Sequence, residues 1–190
     1  MADRQSVNRP EPLTRFLFRD ARAGLLWLPL RVWLGWQWLS AGLGKVGAPA
    51  WTGEQAGAAV AGFVNGALAK TAGDHPDVQA WYAWFLETAV LPNAAVFGHL
   101  VAYGEVLVGL ALLAGLLTGI AAFFGTVMNM SFLMAGAVSV NPILFAAGTL
   151  LVLAWRVAGH WGLDHWLLPA LGTPWSPGPL LRHRGTVTVP

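Results

Sequence analysis

The sequence predicts an all-α integral membrane protein: a four-transmembrane-helix bundle with interfacial amphipathic helices in its first outer loop. Three observations predict it. The chain is 56% hydrophobic and 11% charged over 190 residues, where a soluble domain carries roughly a quarter charged residues. Ala94 to Leu117 is an almost unbroken apolar run, long enough to cross a bilayer. Finally, the apolar runs repeat small residues at helical spacing, as interhelical faces in membranes do.

The segment 1–22 is polar and carries Arg4, Arg9, Arg15, Arg19 and Arg22. It reads as a cytoplasmic juxtamembrane segment, with a short surface helix through Leu13 to Phe18. The apolar run that follows is too long for a cleaved signal peptide and suits a signal anchor. The membrane domain is expected over 23–168. Its first span is about Gly24 to Gly44, where Arg31, Gly35, Trp38, Gly42 and Lys45 fall on one face. Arg31 either faces inward or snorkels to the cytoplasmic surface, and Lys45 is expected at the outer interface.

Residues 46 to 93 are hydrophobic but broken by glycine, proline and charge. Thr52 and Gln55 suggest a capping box for one amphipathic helix, and a second helix through Trp81 and Trp84 is expected to stop at Pro92. The segment is poor in cations, so it belongs outside and the N-terminus inside. The second span then carries Glu105 near its middle, on a face shared with Gly98, Ala102 and Gly109. His99 and Tyr103 lie on another side. Leu117 to Gly119 forms a turn into a third span, Ile120 to Val138, with Asn129 at mid-depth. Asn141-Pro142 starts a fourth span that runs to about His160. The segment 169–190 is proline-rich and basic, as a flexible cytoplasmic tail would be.

An acid inside an apolar helix is costly and defaults to a functional site or an interhelical tie. The expected polar cluster is Glu105 with Arg31 and Asn129, an arrangement fit for proton transfer to a quinone headgroup or for locking two helices together. The chain has no cysteine, which excludes disulfides, thiol relays and cysteine-bound clusters. Paired intramembrane histidines for haem and a glycine-rich nucleotide fingerprint are also missing from the sequence. No haem, flavin or metal is therefore expected; His160, Asp164 and His165 alone are weak evidence for a metal. The basic balance lies beside an apolar run and does not point to nucleic acid.

Four stretches carry a family resemblance: RVWLGWQWLSAGLGKV from Arg31, the loop Trp51, LPNAAVFGHLVAYGEVLVGLALLAGLLTG, and AGHWGLD. Together they resemble the DoxX and DoxD family of bacterial and archaeal membrane proteins, over about Arg31 to Asp164. The resemblance implies a four-helix membrane bundle, expected in the cytoplasmic (inner) membrane, and the basic segments at both ends of an even number of spans put both termini in the cytoplasm. For the DoxD branch it implies the membrane subunit of thiosulfate:quinone oxidoreductase, which passes electrons from thiosulfate to a membrane quinone and acts with a separate DoxA subunit. On that reading Glu105 and Arg31 are the expected catalytic residues, and Arg31, Glu105 and Asn129 contact the quinone. Lys45 attracts an anionic substrate, and the partners are membrane lipid, quinone and a protein subunit. A non-catalytic scaffold for a redox partner and a small transporter are the alternatives.

Overall fold

The computed structural model describes residues 13–172, and all regular structure among them is helical. The rest of the expected N-terminal segment and tail lies outside the described residues. Helix α1 spans Leu13–Arg19, and a 3-10 turn at Ala21–Ala23, capped by Asp20, leads into α2, Gly24–Leu43. Trp27 Nε1 donates to the Leu17 carbonyl at 2.8 Å and holds α1 against α2. Helix α3 is Ala58–Leu68, α4 is Ala80–Phe85 and α5 is Ala94–Ala114. Helices α6, Thr118–Met134, and α7, Asn141–Leu153, follow, with short α8, Trp155–Ala158, and α9, Asp164–Leu171.

Helix α2 packs most extensively on α5, and α6 on α7, while α5 and α6 adjoin through a tight turn. Glycines set the first of these contacts. A Cβ at Gly42 would stand 2.6 Å from Val106 N, one at Gly35 3.0 Å from Leu112 Cβ, and one at Gly109 would collide with the backbone of Leu39. The two helices therefore approach backbone to backbone along three turns, as small-residue faces permit. Trp27, Leu34, Trp38, Val108, Leu112 and Leu151 belong to the core at this junction. A second core, around Val60, Val64, Val78, Tyr82 and Leu86, joins α3 and α4 to the C-terminal end of α6. Tyr82 Oη donates to the Ser131 carbonyl at 2.8 Å, and Lys70 Nζ to the Gly136 carbonyl at 2.7 Å.

Four local expectations are corrected. Pro92 does not stop a helix: α4 runs through a π-helical turn, Leu86–Val90, and a 3-10 turn, Leu91–Asn93, straight into α5. Changing the hydrogen-bond register on either side lets the rod absorb a residue that has no N–H to give. The result is one helical run, Ala80–Ala114, of 35 residues, and it alone among the described residues is long and apolar enough to cross a membrane. Thr52 caps no helix. Its Oγ1 accepts from Gly47 N at 2.7 Å and closes the loop after Lys45, while α3 starts after Gly57, whose φ of 95° favours glycine. The third expected span is 17 residues long, and the fourth is a 13-residue helix, about 20 Å. The fourth breaks at Ala154 because α8 turns to pack on the start of α2. There a Cβ at Gly24 would lie 2.8 Å from the Val157 carbonyl oxygen.

Gly109→Leu should force α2 away from α5 and destabilise the protein by about 2 kcal/mol or more. Gly66→Ala, on the open side of α3 with nothing near its Cβ, should be neutral or slightly stabilising. Thermal unfolding of both variants in the same detergent measures the difference.

Candidate functional site

Lys45 follows the end of α2, and the α2–α5 approach carries it to the middle of α5. Its Nζ donates to Glu105 Oε2 at 2.6 Å and to the Ala41 carbonyl at 3.3 Å. The acid's side chain is 3% exposed and the lysine's 20%, so the acid is buried and the lysine only partly covered. Trp51, returned by the loop that Thr52 closes, places its ring 5.1 Å from Nζ. Gly98, one α5 face residue beyond Glu105, makes room for the Trp51 backbone; a Cβ there would sit 2.7 Å from its carbonyl oxygen. The cation is thus held by a carboxylate, a carbonyl and an aromatic face.

Glu105 and Lys45 lie on the wall of a cavity of about 1150 Å³. It is bounded by α2, α5 and α6, with Trp51, α3 and the α4 region at one end. Most of the lining is aliphatic or aromatic, with hydroxyl groups from Ser40, Tyr82 and Ser131 and amides from Gln37 and Asn141. A large apolar cavity with few convergent polar groups is the usual form of a small-molecule site.

Arg31 does not join this pair. It is buried toward the other end of α2, where Nη2 donates to the Trp161 carbonyl at 3.0 Å. Its guanidinium packs on Gly115 and Gly162, where a Cβ would collide with Nη1 or stand 2.6 Å from it. Nearby is buried Asp164, which accepts from Leu117 N at 2.6 Å and Thr118 N at 2.9 Å and so caps α6. Leu163 N and Asp164 N also donate to the carbonyls of Ala114 and Gly115. The α5–α6 turn, with Leu117 at φ 46°, is therefore stitched to the segment before α9.

The three residues expected to cluster, Glu105, Arg31 and Asn129, thus lie in three separate places. Glu105 meets Lys45 because α2 and α5 are antiparallel, so the cation at the far end of α2 falls level with the acid. Arg31 is about four turns from Lys45 and faces the opposite end of α5. Lys45, expected as an anion site, has its charge engaged by the acid. Asn129 is fully buried on α6, lies outside the cavity lining, and neither end of its amide has a hydrogen-bond partner among the described residues. His99 and Tyr103 stack on each other, with ring centroids 6.1 Å apart, away from the acid. Among the described residues no cluster of three or more potential metal ligands forms. Sequence reasoning missed Asp164 as a cap; its signal was the spacing of Gly159 and Gly162 before it, since a Cβ at Gly159 would collide with its carboxylate.

A family model described as DoxX matches residues 26–139, more than half of the chain. That range takes in Arg31, Lys45, Glu105 and Asn129 and stops short of Asp164. No curated protein and no solved structure matches the chain.

A double-mutant cycle on Lys45→Gln and Glu105→Gln should show a coupling of about 1–3 kcal/mol, because each single variant leaves one partner uncompensated. The same cycle with Arg31→Gln and Glu105→Gln should show coupling near zero. Chemical or thermal unfolding in detergent reads both. Asn129→Leu should leave stability unchanged or raise it by about 1–3 kcal/mol, since it removes a buried amide without partners; the same melts check it.

Proposed function

Because the chain belongs to the DoxX family of membrane proteins, we propose that it is the membrane subunit of a quinone-linked oxidoreductase acting with a partner subunit. The observation that carries this reading is the Lys45–Glu105 pair on the wall of the large apolar cavity. The residues fit such a group: the lining offers room for an apolar ring, and the pair offers one hydrogen-bond donor and one acceptor beside it. A bound quinone would accept two electrons and two protons and leave as quinol.

The chain's own part is then to bind, orient and move protons. Lys45 donates a hydrogen bond toward a carbonyl oxygen and favours negative charge developing there. Glu105 holds the ammonium in place and passes a proton within hydrogen-bond reach. Trp51 and the apolar lining keep water from the ring. The chain has no cysteine and so no thiol or cysteine-bound cluster of its own, which favours electrons arriving from a partner. The DoxD-like resemblance makes thiosulfate the donor to test first, two thiosulfates giving tetrathionate and two electrons.

The same reading gives four crossings in the cytoplasmic membrane, through α2, α5, α6 and the α7–α8 pair, with both termini on the cytoplasmic side. The arginines at Arg15, Arg19 and Arg22 lie at that end, and the segment with Glu54, Asp74, Asp77 and Glu87 at the other.

Membranes holding this protein and its copurifying partner should reduce a quinone analogue with thiosulfate as donor. Glu105→Gln should slow that rate by about a hundredfold, with the melting temperature measured alongside. Equal rates in membranes with and without the protein, and no quinone in an organic extract of the purified complex, would favour a non-catalytic scaffold in which the ion pair only ties α2 to α5.

A further inference from the structure

The cavity is not uniform along its length. Its hydroxyl groups, Ser40, Tyr82 and Ser131, accompany the end that holds Lys45 and Glu105. Toward the α5–α6 turn the lining becomes Leu107, Ala111, Leu116, Ile120, Ala121 and Phe124, with Gln37 of α2 adding one amide at that depth. From Glu105 to the end of α5 at Ala114 the helix runs about 14 Å. A volume of about 1150 Å³ exceeds the roughly 300–1,000 Å³ of sites for drug-sized ligands, far more than one small ring fills.

The way in is also apolar. Leu107, Ile120 and Phe124 line the cavity and are 67%, 54% and 56% exposed, and Leu100, Val127 and Val140 of the lining are exposed as well, so the cavity opens sideways on an apolar surface. At the end next to α3 and α4 the lining includes the buried Val60 and Tyr82.

Resting on the quinone reading above, we infer that the cavity selects quinones bearing a long apolar tail. The ring sits at Lys45–Glu105 and the tail lies along α5 and α6 toward Leu116, leaving through the gap at Leu107 and Ile120. Tail recognition is then a property of the inner half alone, separable from the ion pair.

Quenching of tryptophan fluorescence tests this on the purified full chain in mild detergent, since Trp38 and Trp51 line the cavity. The probes are a tailless dimethoxybenzoquinone, its decyl derivative, and decanol as a ringless competitor, all expressed per mole of detergent to remove partitioning. The decyl quinone should bind at least tenfold tighter than the tailless one. Ala111→Phe, which fills the inner half without touching Lys45 or Glu105, should erase that gain and leave the tailless affinity unchanged. Ile120→Trp, at the opening, should do the same if Ala111→Phe fails to fold. Equal affinities for the two quinones in the wild type, or a decyl affinity that a folded filling variant leaves intact, would overturn tail selection while leaving the ring site standing. Absence of saturable quenching by either quinone, or displacement of the decyl quinone by decanol at equal concentration, would overturn the quinone reading itself.

Discussion

An acid in the middle of an apolar helix has to meet a polar partner, and in this protein that requirement fixes how α2 and α5 lie together. Lysine reaches only as far as its stem allows, so the two backbones must come close. Gly35, Gly42 and Gly109 supply the closeness, and the 2.6 Å Lys45–Glu105 contact follows from it. Breaking such a pair leaves a bare buried charge, which costs more than the pair itself contributes. The glycines and the ion pair are therefore one device: neither the packing nor the charge balance holds without the other.

A second charged group secures the far end of the same helices by different means. Arg31 and Asp164 are both buried, but their hydrogen bonds go to backbone: the guanidinium to the Trp161 carbonyl, the carboxylate to the first N–H groups of α6. A helix start has free N–H groups and a partial positive charge, so an acid fits there without a salt bridge. The arrangement closes the α5–α6 turn and leaves the cavity with a fixed inner boundary. The paired charges on the cavity wall are thus kept apart from the buried charges that bond to backbone at the α5–α6 turn.

The segment between α2 and α5 packs over one end of the cavity and forms part of the longest helix. Its π-helical and 3-10 turns let the α4 region continue into α5 past Pro92, so Tyr82 and Glu105 belong to one rod although they serve different cores. Tyr82 fastens the segment to α6 through Ser131. π-Helical turns inside helices recur at functional sites, and this one stands next to the cavity wall at Leu86 and Val90.

The sequence by itself determined the helical class and which side of α2 and α5 faces inward. Composition and spacing are local properties, and Gly98, Ala102, Glu105 and Gly109 are all buried as their period demands. Residues 31, 35, 38 and 42 are buried for the same reason. It also marked Glu105 as the group needing compensation. Only the tertiary structure decided which cation compensates it, because periodicity places Arg31 and Lys45 on one face but says nothing of how far one helix is displaced along its neighbour. Steric contact at the three glycines sets that displacement and brings Lys45, not Arg31, level with the acid. The same holds for Asp164, whose role depends on a turn 47 residues earlier, and for Pro92, whose tolerance depends on hydrogen-bond registers that no residue type announces. Local chemistry wrote the faces of the helices; long-range packing chose the pairs that meet across them.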